Sequence, residues 1–212
     1  MKSVLSFLCV ALMANALRAE LTDEQKRVPL EVDAPDASQA KIVLLAGPVS
    51  NKAGQHEYFA GCAMLMKCLK QTSGVWPVMA AEGWPKNEAV LKGARSIVMY
   101  MDGGPNCALL QGSRWETLRG LMKGGAGFVV LHQSVDIPED HAEDFKSWAG
   151  AVWQKDIGCR GHWDMSFTPD VKHEVLQGVA AFTAPHDGWL YNLHFAARNV
   201  SPLLAGSVPD TS

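Results

Sequence analysis

The sequence lacks the short motifs by which many nucleotide and metal sites are recognised. It contains no Cys-x-x-Cys pair, no G-x-x-x-x-G-K-[ST] or G-x-G-x-x-G loop, and no H-E-x-x-H or H-x-H pattern. These absences remove the usual signals of zinc knuckles and thioredoxin-type redox sites, and they leave a nucleotide cofactor without support. A metal site, if present, must take its ligands from distant loops.

The chain also lacks a basic run. Lys and Arg number 19 against 22 Asp and Glu, for a net charge of -3, so there is no electrostatic footprint for nucleic acid. Small or neutral partners fit better, and a homo-oligomer stays open. With 212 residues, 48% of them hydrophobic, the chain is long enough for one substantial core, and we expect one domain.

The only long apolar stretch lies at the N-terminus, in "MKSVLSFLCVALMANALRAE". A lysine, a short apolar core and small residues are typical of a secretory signal peptide, and the core is too short for a membrane span. We assign residues 1–19 to it, with cleavage after Ala16 or Ala19. The protein is therefore expected to be secreted or periplasmic. Residues 20–40 are polar and punctuated by prolines, which predicts a flexible mature N-terminal arm.

Four cysteines remain after the signal peptide, in a compartment that permits disulfides. Cys62 and Cys68 fall on different faces of a predicted helix, so they are not expected to bond to each other. We expect at least two of the four, which include Cys107 and Cys159, to be buried free thiols.

From Lys41 onward, apolar runs alternate with helical patterns. "KIVLLAG", "SGVWPVMA", "RSIVMYMD" and "GFVVLH" predict strands, the first and last of them buried on both faces, with helices between them and a further helix in "EDHAEDFKSWAGAVW". This alternation predicts an α/β open parallel sheet with helices on both faces. Later segments, including "HWDMSFTPD", "WLYNLHF" and "VSPLLAGSV", could form more strands. The chain ends directly after a strand-like run, so we expect a domain over 41–212 that is incomplete at its C-terminus.

Ligands of open parallel sheets bind beyond the carboxyl ends of the strands, where three loops carry polar residues. The first delivers His56, Glu57 and Tyr58 to a helix start, where the helix dipole favours a neutral imidazole; a surface or capping histidine is the alternative. The second loop places Asp102 before two glycines. The Asp102 side chain could contact a ligand, or it could cap the following turn. The third carries His132 and Ser134. A buried imidazole needs partners for both nitrogens, which a site supplies and a carbonyl with a water also would.

A serine nucleophile at position 134 is not expected, because "LHQSVD" lacks the glycines of a G-x-S-x-G elbow. A cysteine nucleophile is also not expected, because no cysteine follows a strand in the required place.

Further candidate site residues lie in the last quarter of the chain: His162, Asp187, Trp189 and Tyr191.

Several segments in this order resemble the ThuA-like (trehalose utilization) family. They are "KIVLLAGPVSNKAGQHEYFAGCAML", "YMDGG", "GAGFVVLHQSV", "FKSWAGAVW", "HWDMSF", "KHEVLQGV" and "DGWLYNLHF". The resemblance covers nearly all of 41–212. It implies a flavodoxin-like fold of the class I glutamine amidotransferase-like superfamily, and a role in the use of disaccharides and keto-sugars. His132 stands where true amidotransferases carry their cysteine elbow, so the chain is not expected to be an amidotransferase.

The resemblance also implies that His56, His132 and His162 lie near one pocket, with Asp187 contributing. Histidines brought together from distant loops could bind a divalent metal such as zinc. Two departures stand out: Gly188 replaces an acidic residue usual in the family, and Tyr191 lies one position later than the usual tyrosine.

Two functional hypotheses follow. In the first, the protein is a secreted enzyme that acts on a sugar or a keto-disaccharide. His132 would be a metal ligand or the general base, and His56 a metal ligand or an electrophile. Asp187 would orient an imidazole, and Asp102 is a further catalytic candidate. Glu57, Tyr58, Ser134, Trp189 and Tyr191 would then bind substrate. In the second, the chain is a non-catalytic sugar-binding module that uses Trp163, Trp189 and Tyr191 as stacking surfaces, although packing in the core is the better expectation for most tryptophans.

Overall fold

The computed structural model describes residues 21–169, 172–197 and 200–210. The predicted signal peptide, residues 1–19, lies outside these ranges. The strands are β1 (Ala40–Ala46), β2 (Val75–Ala80), β3 (Ser96–Tyr100), β4 (Gly127–Val130), β5 (Ala151–Val152), β6 (Cys159–Phe167), β7 (Phe182–Tyr191) and β8 (His194–Phe195). The helices are α1 (Tyr58–Leu69), α2 (Arg114–Lys123) and α3 (Glu139–Ala149).

The first four strands form one parallel sheet in the order β2-β1-β3-β4. Such an order requires a helix or loop crossover between strands, which is what the alternating sequence pattern predicts. Pro77 pairs in register with Ile42, and it is tolerated because β2 is an edge strand of this sheet. The carboxyl ends of β1, β3 and β4 therefore lie side by side, and the loops that follow them meet at one edge.

The sheet is covered on both faces. Val43 and Leu45 of β1 face a core that includes residues of α2 and α3, whereas Leu44 and Ala46 face the core packed against α1. All four side chains are fully buried, as expected for a strand with a continuous apolar run. The predicted α/β, flavodoxin-like architecture is confirmed.

The prediction that β4 is buried on both faces is wrong. Phe128 and Val130 are half-buried against the α2 and α3 side, but Val129 is 43% exposed. β4 is an edge of the four-stranded sheet, and α1 packs mainly over β1 and β2 at the other side of it. The face of β4 that carries Val129 therefore lacks a helix among the described residues.

The last third of the domain is antiparallel. β6 and β7 form a two-stranded hairpin with a register shift between Trp163 and Met165, and β5 pairs with β8. The hairpin contacts the α/β part through Arg160, whose guanidinium lies 4.5 Å from the ring centre of Trp153. No strand forms over the described part of "VSPLLAGSV", residues 200–208.

The N-terminal arm makes packing contacts and hydrogen bonds with the domain. Leu21, Val28 and Leu30 pack against the α1-side core. The indole of Trp76 donates to the carbonyl of Val32, and the backbone N–H of Glu31 donates to Met79. The apolar residues of the arm are irregularly spaced, so the sequence pattern did not predict these contacts.

Within the described residues, no helix has the length and apolarity to cross a bilayer.

The four described cysteines are free thiols. Cys62 and Cys107 are buried, as expected for at least two of them, and Cys68 and Cys159 are exposed. Burial raises the pKa of Cys62 to about 12 and that of Cys107 to about 11. Because the thiolate is the reactive form, neither buried thiol is suited to nucleophilic chemistry.

Candidate functional site

The imidazole rings of His56 and His132 meet above the sheet edge. His56 lies in the loop after β1 and His132 follows β4, and their ring centres are 5.0 Å apart. Both residues have a positive φ, 49° for His56 and 56° for His132, a backbone conformation that residues other than glycine rarely adopt. Such backbone strain persists only where the surroundings impose it, and it concentrates at functional sites.

Local hydrogen bonds define the tautomer of each ring. The backbone N–H of Gln133 donates to Nδ1 of His132 at 2.8 Å, and the amide Nδ2 of Asn51 lies 2.9 Å from Nδ1 of His56. Because Nδ1 accepts in both rings, the proton of each neutral imidazole lies on Nε2. In these tautomers the pair offers two Nε2–H donors, and the role of His132 as a general base stays a prediction.

The His132 ring is held in its neutral form. Its pKa lies below the usual imidazole value, mainly because neighbouring atoms remove part of its water, and also because of the nearby His56. The carboxylate of Asp187 acts in the opposite direction. A neutral imidazole with Nε2–H can donate a hydrogen bond to an oxygen that gains negative charge.

A hydrogen-bonded network of three side chains lies behind the two rings. The hydroxyl of Tyr58 donates to Oδ1 of Asp102 at 2.5 Å, and Nε2 of Gln133 lies 2.7 Å from the Tyr58 oxygen and also donates to Asp102. Tyr58 is buried, and its ring is 6.0 Å from that of His56, in a stacked arrangement. The network joins the loops after β1, β3 and β4, so Tyr58 and Asp102 position the histidine loops.

Gln133 is the residue that sequence reasoning missed. An amide next to a candidate histidine has no distinctive pattern, and its importance comes from reaching Tyr58 and Asp102 on two other loops. Burial, Asp102 and the hydrogen bond to it raise the pKa of the Tyr58 hydroxyl, which therefore stays protonated and acts as a donor.

Ser134 makes its hydrogen bonds to the backbone of another loop. It is fully buried, its Oγ accepts from the N–H of Met101 at 2.8 Å, and it donates to the carbonyl of the same residue at 2.7 Å. Both hydrogen-bonding capacities of the hydroxyl are therefore used on the backbone just after β3. These two hydrogen bonds tie the third loop to the sheet, and a substrate contact at Ser134 stays a prediction.

The glycines after Asp102 also serve the fold. The N–H of Gly104 donates to the carbonyl of Asp136 at 2.6 Å, and a Cβ at Gly103 would overlap that same carbonyl oxygen. The backbone at these glycines therefore lies directly against the backbone of Asp136.

The β6–β7 hairpin carries the remaining predicted polar residues. His162 is exposed, and the centre of its ring lies 6.2 Å from that of His186. The neighbouring imidazole of His162 is therefore His186 and not His56 or His132. A Cβ at Gly188 would lie 3.3 Å from Nε2 of His162, which means that this imidazole occupies space beside the missing side chain. Asp187 is exposed, and its Oδ1 accepts from the N–H of Gly188; its effect on His132 is electrostatic.

Trp189 and Tyr191 belong to an aromatic cluster within the hairpin. Both are half-buried, the Trp189 indole donates to the carbonyl of Trp163 at 2.9 Å, and the Tyr191 ring lies edge-on, 5.6 Å from that of Trp163. Trp163 itself is 9% exposed. These contacts agree with packing of the rings in the core, and a role of Trp189 and Tyr191 in binding substrate stays a prediction.

Two cavities adjoin the network. A cavity of about 310 Å³ is lined by His56, Glu57 and Tyr58 together with the N-terminal arm, and a larger one of about 750 Å³ is lined by Asp102 and Arg114 among others. The two cavities are neighbours, because Val49 and Glu82 line both of them. Another cavity, of about 550 Å³, lies at the amino ends of the strands beside Lys41, away from the histidines.

The predicted zinc centre stays a prediction. Zinc takes three or four protein ligands, or three and a water. Within residues 21–169, 172–197 and 200–210, no group of three or more His, Cys, Asp or Glu side chains is arranged to hold a metal ion. The two central imidazoles also direct Nδ1 to protein donors and carry their protons on Nε2, an arrangement suited to hydrogen-bond donation.

Comparison with known proteins supports the fold. No protein-family model and no curated protein sequence matches the chain. A solved structure from Bacteroides uniformis ATCC 8492, described as thua-like, superposes with a TM-score of 0.52 at 17% identity, over 76% of this chain. The chain spans 64% of the length of that protein. At this identity the likeness shows a shared fold: the chain has the flavodoxin-like α/β architecture of this thua-like protein.

Proposed function

We propose that the chain is a secreted ThuA-like protein that acts on a keto-sugar, such as an oxidised disaccharide, through its His56–His132 pair. The observation that carries the proposal is the convergence of two imidazoles with Nε2–H donors at the carboxyl edge of the sheet. The resemblance of its segments to the family and the thua-like fold of its structural neighbour support the choice of substrate class.

The chemistry supported best is proton removal next to a ketone. A carbonyl oxygen that receives hydrogen bonds from His56 and His132 is polarised, and negative charge that develops on it is stabilised by donors already in place. Glu57 lines the cavity beside His56, and one of its carboxylate oxygens, Oε1, is held by the N–H of Gly54 at 2.7 Å. In this proposal the Glu57 carboxylate takes the proton from the carbon next to the ketone, and the electron pair of that C–H bond becomes the enolate.

The network of Tyr58, Asp102 and Gln133 keeps the two donors in position. Tyr58 stacks against His56, and Gln133 follows His132 directly in the chain, so one set of hydrogen bonds restrains both rings. Asp187 contributes a negative potential at His132. No step requires a metal, because the donor groups present supply the stabilisation of the enolate.

The direct test is exchange of the substrate's C–H protons with solvent. Wild-type protein incubated with a keto-glucose or a keto-trehalose in deuterated water should catalyse deuterium uptake next to the carbonyl, followed by NMR. His132→Gln and His56→Gln should each reduce the rate by about 10²–10³-fold, the usual effect of losing one such donor. Uptake that matches the buffer rate, or variants as fast as wild type, would contradict the proposal.

His173→Gln is the matched control, because His173 is exposed and its Nδ1 accepts only from the nearby N–H of Val175. The proposed absence of a metal step is checked by the same assay after dialysis against a chelator. Activity that disappears on dialysis and returns with zinc would replace the donor mechanism by a metal-assisted one.

A further inference from the structure

Tyr100 ends β3 at the same edge of the sheet as the histidine pair. It pairs in register with Ala46, the last residue of β1, and its side chain packs against the α1-side core. Its ring meets that of Tyr58 edge-on, with the ring centres 5.0 Å apart. Because Tyr58 also stacks against His56, Tyr100 lies one ring beyond the central pair of the site.

Gly61 leaves the space that the Tyr100 ring occupies. Gly61 lies inside α1, where glycine weakens a helix relative to alanine. A Cβ at this position would lie 2.5 Å from Cε1 of Tyr100, which is closer than two carbon atoms can approach without a shift of the ring. The missing side chain at this helical position therefore determines where the phenol ring lies.

The hydroxyl of Tyr100 is accessible to a ligand. The Tyr58 hydroxyl bonds to Asp102 and Gln133, but that of Tyr100 has no hydrogen-bond partner among the described residues. In the same part of the chain, the one fully enclosed polar side-chain atom without a partner is Nε1 of Trp163. The Tyr100 hydroxyl is therefore not enclosed, and it can donate to a molecule that enters the site.

Two carboxylates lie within electrostatic reach of this hydroxyl. Its pKa is raised, mainly by partial burial and also by the nearby Cys62, Asp187 and Glu57. The hydroxyl therefore stays protonated and can act as a donor. Asp187 also acts on the imidazole of His132, so a single carboxylate of the hairpin lies near both groups.

We propose that Tyr100 binds the sugar substrate, by donating a hydrogen bond from its hydroxyl to a sugar hydroxyl. A sugar hydroxyl can accept from a phenol and donate to a carboxylate at the same time, and Asp187 supplies that carboxylate. The ketone oxygen stays with the His56–His132 pair, so the Tyr100 contact is the same in the bound substrate and in the transition state. The inference rests on the proposed function for its choice of a sugar, and it adds a binding residue that no sequence pattern indicated.

The first test asks whether the hydroxyl has a structural role instead. In Tyr100→Phe the urea midpoint should equal that of wild type, because the lost hydroxyl bonds to no described group of the protein. Tyr58→Phe should unfold at lower urea, because its hydroxyl donates to Asp102. An equal loss of stability in the two variants would overturn the proposal.

The second test separates binding from chemistry. In the deuterium-uptake assay, Tyr100→Phe should raise KM for the keto-sugar about three- to tenfold, the effect of losing one neutral hydrogen bond. Its kcat should stay at the wild-type value, because the contact does not change in the transition state. An unchanged KM, or a fall in kcat as large as that of His132→Gln, would overturn the role of Tyr100 in binding.

A substitution beside the ring provides an independent variant. Gly61→Ala should displace the ring and raise KM at least as much as Tyr100→Phe does. The matched control is Gly120→Ala, since Gly120 also lies in a helix but an added Cβ there has no atom within 4 Å. Gly120→Ala should keep the wild-type KM. A wild-type KM in folded Gly61→Ala would overturn the role of the ring position.

The third test needs no reaction. The chain has 3 tyrosines, so labelling with fluorotyrosine gives one ¹⁹F NMR signal for each, and Tyr→Phe variants assign them. Trehalose, which carries sugar hydroxyls but no ketone, is the probe. At saturation it should shift the Tyr100 signal and leave the signal of Tyr191, in the hairpin cluster, in place. A Tyr100 signal that does not move would overturn the proposal.

The two proposals fail separately. Deuterium uptake by wild type, together with an unchanged KM in Tyr100→Phe, would leave the proposed reaction and remove Tyr100 from it. A Tyr100 signal that moves with trehalose, in a protein that catalyses no deuterium uptake, would leave the binding residue and remove the reaction.

Discussion

The imidazoles of His56 and His132 lie 5.0 Å apart, centre to centre, although they follow different strands of the sheet. The parallel order β1-β3-β4 brings their loops to one edge, and both residues have a positive φ. The proximity of two imidazoles has an electrostatic consequence, since each disfavours a positive charge on the other.

Replacing His56 should therefore change the titration of His132. In His56→Gln the pKa of His132 should rise, because one of the two causes that lower it is removed, but it should stay below the ordinary value because partial burial is the larger cause. NMR titration of the imidazole Cε1–H signals measures this directly. His173→Gln should leave the His132 titration unchanged, and an unaltered His132 pKa in His56→Gln would contradict the electrostatic coupling of the two rings.

The lowered pKa of His132 also has a consequence for stability. Just below the ordinary imidazole pKa of 6.5 the unfolded chain binds the proton that the folded ring resists, so acidification through this window should lower the free energy of unfolding. In His132→Gln this contribution to the pH dependence should be absent. Urea unfolding of both proteins between pH 7.5 and about 5.5, which brackets the usual imidazole pKa, measures the difference; identical slopes against pH would count against it.

The strained backbone at His132 predicts a difference between two small substitutions. Since φ is 56°, His132→Gly should be more stable than His132→Ala by about 1 kcal/mol, although glycine ordinarily destabilises folded chains. Urea unfolding gives both values. The same pair of substitutions at Gln133, which is not among the residues with positive φ, should show the ordinary order, with alanine the more stable.

Tyr58→Phe should destabilise the site by removing a hydrogen bond to a carboxylate. The expected loss is about 1.5–3 kcal/mol, because the Tyr58 hydroxyl donates to Asp102 from a buried position. Tyr191→Phe is the control, since Tyr191 is half-buried and contributes ring contacts to the hairpin cluster. An equal effect of the two substitutions on the free energy of unfolding would argue against the Tyr58–Asp102–Gln133 network.

Ser134→Ala separates structural from ligand-binding roles. Both hydrogen bonds of the buried hydroxyl go to the backbone of Met101, so the loss should be about 1–3 kcal/mol of stability. Sugar affinity measured on folded protein should stay at the wild-type value. Ser147→Ala, at an exposed serine of α3, should cost less than Ser134→Ala; a specific loss of sugar affinity in folded Ser134→Ala would restore Ser134 as a ligand contact.

Local sequence patterns were sufficient for the α/β part of the fold. Continuous apolar runs such as "KIVLLAG" are stable only as strands covered on both faces, and the helical segments between them leave a parallel sheet as the arrangement that buries both. The same reasoning placed His56, Asp102 and His132 at one edge of the sheet, because loops after parallel strands share that edge. It overestimated the burial of β4, since strand order and helix coverage are not local properties.

What the side chains do there was decided by tertiary structure. Whether Ser134 faces a ligand or the backbone of Met101, whether Gln133 reaches Tyr58, and whether the arm contacts the cavity beside His56 all depend on contacts between segments far apart in the chain. Such contacts have no periodicity that a sequence pattern can report. Side-chain chemistry and local periodicity depend on residues close together in the chain, so the sequence determines them directly. Hydrogen-bond partners, tautomers and cavity walls depend on separate loops that pack together, so only the tertiary structure determines them.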